Sequence, residues 1–173
     1  MPDGHTLCGR EYWEEVRSGV LGEHAAIDWS RIQPEDLHAF AALYGQNEMN
    51  LKAEEMYLQA LRGYKKAWAA EHSSTLNTVN NLGILYKNQG KMAEAEDMLL
   101  RALRGKEKAW GPEHTSTLST VNNLGNVYEN QGKMAEAEDM LLQALRGYEE
   151  VVEKDHPTTR TITRNLQAVQ ARK

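Results

Sequence analysis

The chain has 173 residues, a formal net charge of −5 and one cysteine, Cys8. Its mild acidity and the absence of a Lys/Arg cluster argue against a nucleic-acid-binding protein. No apolar run approaches the roughly 20 residues that cross a membrane, and no signal peptide is recognisable. We therefore expect a soluble, cytoplasmic, single-domain protein with neither a disulfide nor a cofactor.

Residues 1–34 differ in pattern from the rest of the chain, and we predict that they form a non-repeat N-terminal capping segment. Its large apolar residues include Trp13 and Trp29. Pro34, which two acids follow, is typical of a helix start. The repetitive part of the chain is therefore expected to begin close to this proline.

The array predicted over residues 35–173 rests on a long internal repeat. Residues 73–114 and 115–156, aligned at an offset of 42, are identical at 29 positions. A fixed period of this length is typical of a solenoid, in which each unit buries its apolar face against its neighbours. The divergent units before and after this pair are predicted at about 35–72 and, as a capping helix, at 157–173.

Helical apolar spacing continues through the array, and Gly83 is predicted to allow a close approach of the partner helix. We predict seven helices, near residues 35–46, 50–69, 74–89, 92–110, 116–131, 134–153 and 158–172. Gly90 and Gly132 stand where the chain reverses, so each is predicted to adopt the left-handed conformation of a helix C-terminus. The N-caps are predicted at Thr75, Thr117 and Thr159, or at the Ser or Thr just before them.

Two copies of one pattern carry a resemblance to a known family. They are Val79-x-x-Leu82-Gly83-x-x-Tyr86 with Ala95-x-x-x-Leu99, and Val121-x-x-Leu124-Gly125-x-x-Tyr128 with Ala137-x-x-x-Leu141. The pattern resembles the tetratricopeptide repeat, and its long period resembles the kinesin-light-chain type, as found in fungal nucleotide-binding immune-type receptors. The resemblance implies an all-α, right-handed solenoid of antiparallel helix pairs. In such arrays the first helices line a concave groove that binds peptides.

The first helices also carry positions at which the two copies differ, among them Asn77, Ile84 and Lys87. Together with the asparagines between them, these positions recur every three to four residues and so share one helix face. An asparagine amide can hydrogen-bond a peptide backbone of any sequence. The alternative interpretation is that exposed positions drift and polar residues merely solvate the surface. The candidate partner-binding residues are Asn77, Asn80, Asn81, Ile84, Lys87, Asn88, Asn122, Asn123, Asn126, Glu129, Asn130, Arg164 and Asn165.

Three histidines, His72, His114 and His156, recur at the unit boundaries. Equivalent positions in stacked helices lie on the order of 10 Å apart, whereas zinc ligands lie about 2 Å from the ion. We therefore predict turn and helix-entry residues and no metal site. Trp68 and Trp110 are likewise predicted to pack between units.

An enzyme is the least favoured alternative. Cys8, His24, Asp28, Glu35 and His38 have no spacing typical of a catalytic site, and the chain has no glycine-rich phosphate loop. An active site would require a deep, enclosed pocket near His38. We predict no catalytic residue.

The function that we predict is that of a non-catalytic scaffold that binds a protein or peptide segment in its concave groove. Positive charge gathers only at the end of the array, so an acidic ligand is expected to lie with its negative end toward the last helix; the residues are Arg160, Arg164, Arg172 and Lys173. The second hypothesis is a homo-oligomer that forms through the end units, at Trp13, Trp29 or Leu166.

Overall fold

The computed structural model describes residues 33–46, 49–67, 72–152 and 156–172. These ranges contain no strand and seven α-helices: α1 Pro34–Gln46, α2 Asn50–Ala67, α3 Ser73–Asn88, α4 Met92–Trp110, α5 Thr115–Asn130, α6 Met134–Val151 and α7 Pro157–Gln170. The ends agree with the predicted positions to within two residues, and the predicted all-α solenoid of helix pairs is confirmed. None of the seven helices has the length and apolar character that crossing a membrane requires.

Some predicted features lie outside the described residues. They are the N-terminal segment with Cys8, Trp13, His24, Asp28 and Trp29, and the later residues Trp68 and Lys173. Leu166, the remaining residue of the end-unit hypothesis, is 7% exposed and packs into the core beside Val169. Because it is buried, Leu166 offers no apolar surface to a second copy, and this part of the hypothesis is corrected.

Two first helices, α3 and α5, reverse into their second helices through a glycine turn. Gly90 has φ 78°, its amide donates to the Lys87 carbonyl (3.0 Å), and the Lys91 amide donates to the Tyr86 carbonyl (2.9 Å). This pair of bonds is a Schellman motif, which satisfies the last carbonyls of the helix. Gly132, at φ 77°, repeats the turn at the end of α5. The predicted left-handed glycines are confirmed.

The predicted threonine N-caps are wrong, because histidines cap these helices. Nδ1 of His72, His114 and His156 accepts a hydrogen bond from the backbone N–H two residues on, at 3.3, 3.1 and 3.2 Å respectively. Nδ1 is separated from Cβ by one atom, as an asparagine Oδ1 is, so the imidazole reaches the same free N–H group. The interpretation of these histidines as helix-entry residues is confirmed.

In the pairs α3–α4 and α5–α6, a leucine of the second helix packs directly onto a glycine of the first helix. A Cβ added at Gly83 would lie 2.8 Å from Leu99 Cγ, and one added at Gly125 would lie 2.8 Å from Leu141 Cγ. Both leucines are completely buried. The close helix approach predicted at Gly83 is therefore confirmed, and its copy at Gly125 repeats it.

The first helices lie on the inner side of the solenoid. Each of the first helices α1, α3 and α5 contacts the next first helix along the chain. The second helices α2, α4 and α6 contact the following pair mainly at the first helix of that pair. A curved stack of pairs must bring one set of helices closer together than the other. The inner face is therefore made by the first helices, where the candidate binding residues were predicted.

One glutamate on each second helix joins its pair to the next element, and we call these residues the carboxylate clamp: Glu54, Glu96 and Glu138. Glu54 Oε2 accepts hydrogen bonds from Gln89 Nε2 (3.2 Å) and Lys91 Nζ (3.0 Å). Its other oxygen, Oε1, accepts a bond from the Tyr86 hydroxyl (3.1 Å). Burial, with the charge of Glu54, raises the pKa of Tyr86 to about 12, so the phenol remains a donor at physiological pH.

The clamp repeats along the array. Glu96 Oε2 accepts hydrogen bonds from Gln131 Nε2 (2.8 Å) and Lys133 Nζ (3.1 Å), and Glu138 Oε1 accepts one from Gln170 Nε2 (2.8 Å). The bond from Gln131, followed by that from Lys133, holds the pKa of Glu96 below its ordinary value despite partial burial. Each clamp therefore fixes a second helix against the turn or the end of the following first helix.

We predict that Gly125→Ala destabilises the fold while Gly45→Ala does not. The new methyl group at residue 125 would press on Leu141 Cγ at 2.8 Å, whereas the atoms nearest to a Cβ at residue 45 lie at an ordinary 3.8 Å. Overpacking of this kind costs about 1–3 kcal/mol. Alanine inside a helix gains about 0.5–1 kcal/mol over glycine when nothing obstructs it. Urea unfolding of both variants tests this, and equal stability of the two variants would contradict the packing described.

Candidate peptide-binding groove

An open groove of about 250 Å³ runs along the inner face between α1 and α3. Its lining combines apolar side chains with carboxamides: Ala42, Gly45, Gln46, Tyr57, Asn81, Ile84, Leu85 and Asn88. Three of these, Asn81, Ile84 and Asn88, belong to the predicted partner-binding set. The groove floor is apolar because Tyr57 and Leu85 are buried beneath it.

A polar ladder between first helices borders this groove: His38, Thr78, Asn80, Asn81, Thr120 and Asn123. In its first step, His38 Nδ1 lies 2.7 Å from Thr78 Oγ1, and His38 Nε2 lies 3.3 Å from Asn81 Nδ2. The Thr78 hydroxyl hydrogen is directed to the Ser74 carbonyl, so Thr78 accepts from Nδ1–H and Nε2 accepts from the Asn81 amide. Burial lowers the pKa of His38, which favours this neutral form.

The second step of the ladder centres on Asn80. Its Oδ1 accepts hydrogen bonds from the Thr120 hydroxyl (3.0 Å) and from Asn123 Nδ2 (3.3 Å), and its own Nδ2 donates to Asn81 Oδ1 (3.2 Å). Asn80 is 8% exposed. Because Asn80 is buried and its polar atoms are bonded to Thr120, Asn123 and Asn81, it is not available to a ligand, and its predicted role in partner binding is corrected.

The third step is built differently. Ile162 occupies the position of Thr120 one repeat later, and isoleucine has no hydroxyl group to donate. Asn122 Oδ1, which corresponds to Asn80 Oδ1, is therefore buried without a hydrogen-bond partner among the described residues. Asn165 Nδ2 donates instead to Asn126 Oδ1 (3.0 Å). The asparagine rows therefore serve largely to join α1, α3, α5 and α7, which the sequence-based interpretation did not anticipate.

Among the remaining predicted residues, some face solvent and one forms an ion pair. Asn77, Asn130 and Arg164 are exposed, and Lys87 is half-buried. Glu129 Oε1 accepts from Arg172 Nη1 at 2.8 Å. This ion pair neutralises part of the positive charge that was predicted to orient an acidic ligand. Arg160 and Arg164 remain as exposed cations of that prediction.

A buried lysine joins the ladder from behind. Lys106 of α4 is 2% exposed, and its Nζ donates to the Thr120 hydroxyl (3.0 Å) and to the Ser116 carbonyl (3.2 Å). No carboxylate in the described part of the chain forms an ion pair with it. Burial therefore lowers the pKa of Lys106 to about 8.

Sequence reasoning missed Lys106 and Tyr57 because both belong to second helices. A signal for the lysine exists, since Tyr64 and Tyr148 stand at the equivalent positions one repeat before and after Lys106. The Tyr148 hydroxyl donates to the Thr115 carbonyl (3.0 Å), so the exchange of tyrosine for lysine changes the hydrogen bonds made at this position. Comparing the copies along their full length would have identified this difference.

Neither the groove nor the recurring histidines form a metal centre within the described residues. No three His, Cys, Asp or Glu side chains converge there in a way that would hold an ion. Both ring nitrogens of His38 are engaged in the ladder, and the groove beside it is open. Trp110, which was predicted to pack at a unit boundary, lies with its ring 5.1 Å from that of His114.

We predict that Lys106→Met stabilises the protein at neutral pH and that its advantage disappears at alkaline pH. The lysine has a pKa of about 8 when folded and an ordinary value of 10.5, so its burial penalty is complete below pH 8. The penalty, about 3 kcal/mol at most, is relieved as the pH rises from 8 to 10.5. Urea unfolding across this range tests it, with exposed Lys108→Met as the control. A constant difference between wild type and Lys106→Met would contradict the burial of a charged amine.

Two family models for the tetratricopeptide repeat match the chain, one over residues 36–108 and one over residues 117–158, which together form more than half of it. None of the curated proteins compared with the chain matches it.

Solved structures extend this likeness. A putative kinesin light chain from Podospora anserina with nearly identical TPR-like repeats superposes with a TM-score of 0.72 at 26% identity, over 82% of this chain and 66% of that one. BtubC (BKLC) from P. vanneervenii gives 0.75 at 24% identity, over 92% of this chain and 64% of that one. The N-terminal domain of STI-1 from C. elegans gives 0.56 at 12% identity, over 81% and 98%.

The present chain thus spans slightly less than two thirds of the Podospora and BtubC chains. The BtubC and STI-1 likenesses concern the fold alone. The link to immune-type receptors stays a prediction. On the two family matches and the Podospora likeness, the chain belongs to the tetratricopeptide repeat family, with helix pairs of the kinesin-light-chain-like type.

Proposed function

We propose that the chain is a non-catalytic interaction module that binds a peptide segment of a partner protein along its inner face. The observation that supports this most directly is the groove of about 250 Å³ between α1 and α3, with its apolar floor and its carboxamide rim. The family assignment supports the coarser statement, a repeat scaffold for protein interactions.

The size and lining of the groove favour a peptide over a small molecule. Pockets for small ligands usually enclose about 300–1,000 Å³ and bury most of the ligand. A shallower, open groove of 250 Å³ suits one apolar side chain of a longer segment. Ile84 would contact that side chain, since it is half-buried and lines the groove above the buried Tyr57 and Leu85.

The rim would hold the backbone of the segment. Gln46 and Asn88 lie on either side of the groove, on α1 and α3, and each carboxamide has two donors and an acceptor. Asn81 is held by its bonds to His38 and Asn80, so its position is fixed before a ligand arrives. A preorganised rim reduces the entropy lost on binding.

Specificity would come from the positions at which neighbouring pairs differ. Ile84 is replaced by Asn126 one repeat later, and Lys87 by Glu129. The apolar anchor would therefore bind at the first groove and more polar residues would follow over α5. The exposed Arg164 of α7 would favour an acid at that end of the segment.

The test is selection of a displayed library of random linear peptides on the full chain. We expect enrichment of sequences that share an apolar residue, because the groove floor is apolar. Ile84→Asn should weaken the selected peptides by about tenfold or more, which corresponds to one apolar side chain. This variant is expected to fold, since asparagine stands at the equivalent position of α5.

Exposed Glu149→Gln on α6 is the matched control and should leave the binding of these peptides unchanged. The proposal would be refuted if no peptide were enriched, or if the enriched peptides bound wild type and Ile84→Asn equally. Isothermal titration calorimetry with a single synthetic peptide then shows whether a negative result reflects a lack of binding or poor display of the peptide library.

A further inference from the structure

The outer face carries two rows of charge that run in parallel along the solenoid. One is an acidic row, Glu55, Asp97 and Asp139, and the other is an arginine row, Arg62, Arg104 and Arg146. All six side chains are exposed. Within each second helix the acid and the arginine are separated by seven residues, so they lie on one helix face about 10 Å apart.

A row of leucines separates the two charged rows: Leu58, Leu100 and Leu142. These side chains are half-buried and contact the core with their inner atoms. The order acid, leucine, arginine is the same in α2, α4 and α6. It is kept although a neighbouring position differs, since Tyr57 of α2 is replaced by leucine in α4 and α6. We call these nine residues the outer stripe.

The charged groups of the outer stripe form no ion pair within the described part of the chain, although Arg104 Nε donates a hydrogen bond to the Leu100 carbonyl of its own helix (3.3 Å). None of the six takes part in an ion pair with another described residue, in contrast to Glu54 and Glu96 of the carboxylate clamp. Two shallow depressions, of about 560 and 350 Å³, lie on the stripe at α2 and α6 and are each lined by its acid, its leucine and its arginine. The outer face thus offers both concave surface and charged groups that have no ion-pair partner among the described residues.

We propose that the outer stripe is a homodimer interface. A two-fold axis parallel to the solenoid axis reverses the order of the rows, so the acidic row of one copy faces the arginine row of the other. The leucine rows then meet in the middle, away from water. A two-fold axis along the helices would place acid against acid, so the charge pattern selects one arrangement.

The occupant is a second copy because the stripe is complementary to itself. A partner with one sign of charge would match one row and be repelled by the other. Arg101 lies one turn from Asp97 in α4 and therefore reduces the negative charge of the acidic row at its centre. The equivalent residues in α2 and α6, Gln59 and Gln143, are uncharged and leave the negative charge at both ends of the row unchanged. In this dimer both inner grooves remain open, so the inference does not depend on the proposed function.

Charge-swapped variants of the full chain test the interface by sedimentation equilibrium at low and high salt. One variant has Glu55, Asp97 and Asp139 changed to Arg, and the other has Arg62, Arg104 and Arg146 changed to Glu. We expect wild type to dimerise reversibly and more weakly at high salt. Each variant alone should associate at least about tenfold more weakly than wild type, while an equimolar mixture forms a heterodimer.

The control variant Arg160→Glu/Arg164→Glu reverses exposed charges on α7 and should dimerise as wild type does. Circular dichroism of all variants verifies that they are folded, which is expected because every substitution is at an exposed helix position. The inference is overturned if wild type is monomeric at every concentration, if the swapped variants dimerise as wild type does, or if the mixture contains only monomers.

Discussion

The fold depends on polar contacts that cross from one helix pair to the next. Within a pair, glycine and leucine bring two helices together and exclude water, as at Gly125 and Leu141. Between pairs, the carboxylate clamp and the polar ladder add bonds of defined direction. Because a hydrogen bond left without its partner in a buried site costs about 1–3 kcal/mol, these contacts specify how each pair sits on its neighbour. Apolar packing supplies stabilisation, and the polar contacts supply register.

This division of labour decides which residues are free for function. A buried asparagine such as Asn80 is committed to its neighbours, whereas Asn88 and Ile84 remain at the open groove. The same reasoning separates two kinds of outer glutamate. Glu96 accepts hydrogen bonds from Gln131 and Lys133, whereas Glu55 has no hydrogen-bond or ion-pair partner among the described residues. The described residues therefore leave two faces accessible, the inner groove that we propose binds a peptide and the outer stripe that we propose joins two copies.

Much of the fold could be predicted from the sequence, because helix ends and close approaches depend on local chemistry. The reversal at Gly90 and the glycine contact at Gly83 were predicted from one pattern each. The histidine caps were missed because threonine is the commoner cap, although His114 stands directly before its helix. Local sequence indicates where a helix begins better than which side chain satisfies its first N–H groups.

The candidate site was predicted less well, for a physical reason. An asparagine that solvates a surface and one that joins two helices have the same spacing, and only the partner across the interface distinguishes them. Asn80 and Asn88 lie on the same helix, yet Thr120 and Asn123 bind the first and solvent surrounds the second. Lys106 reaches the ladder from a second helix, a direction that periodicity within the first helix does not indicate.

The most direct measurement of the central claim is a double-mutant cycle between neighbouring pairs. Glu96→Ala, Gln131→Ala and the combination should be compared by urea unfolding. If the carboxylate clamp fixes one pair against the next, the two losses are not additive, and the coupling free energy is about 1–2 kcal/mol. Additive losses would show that the clamp contributes nothing as a pair and would contradict the account.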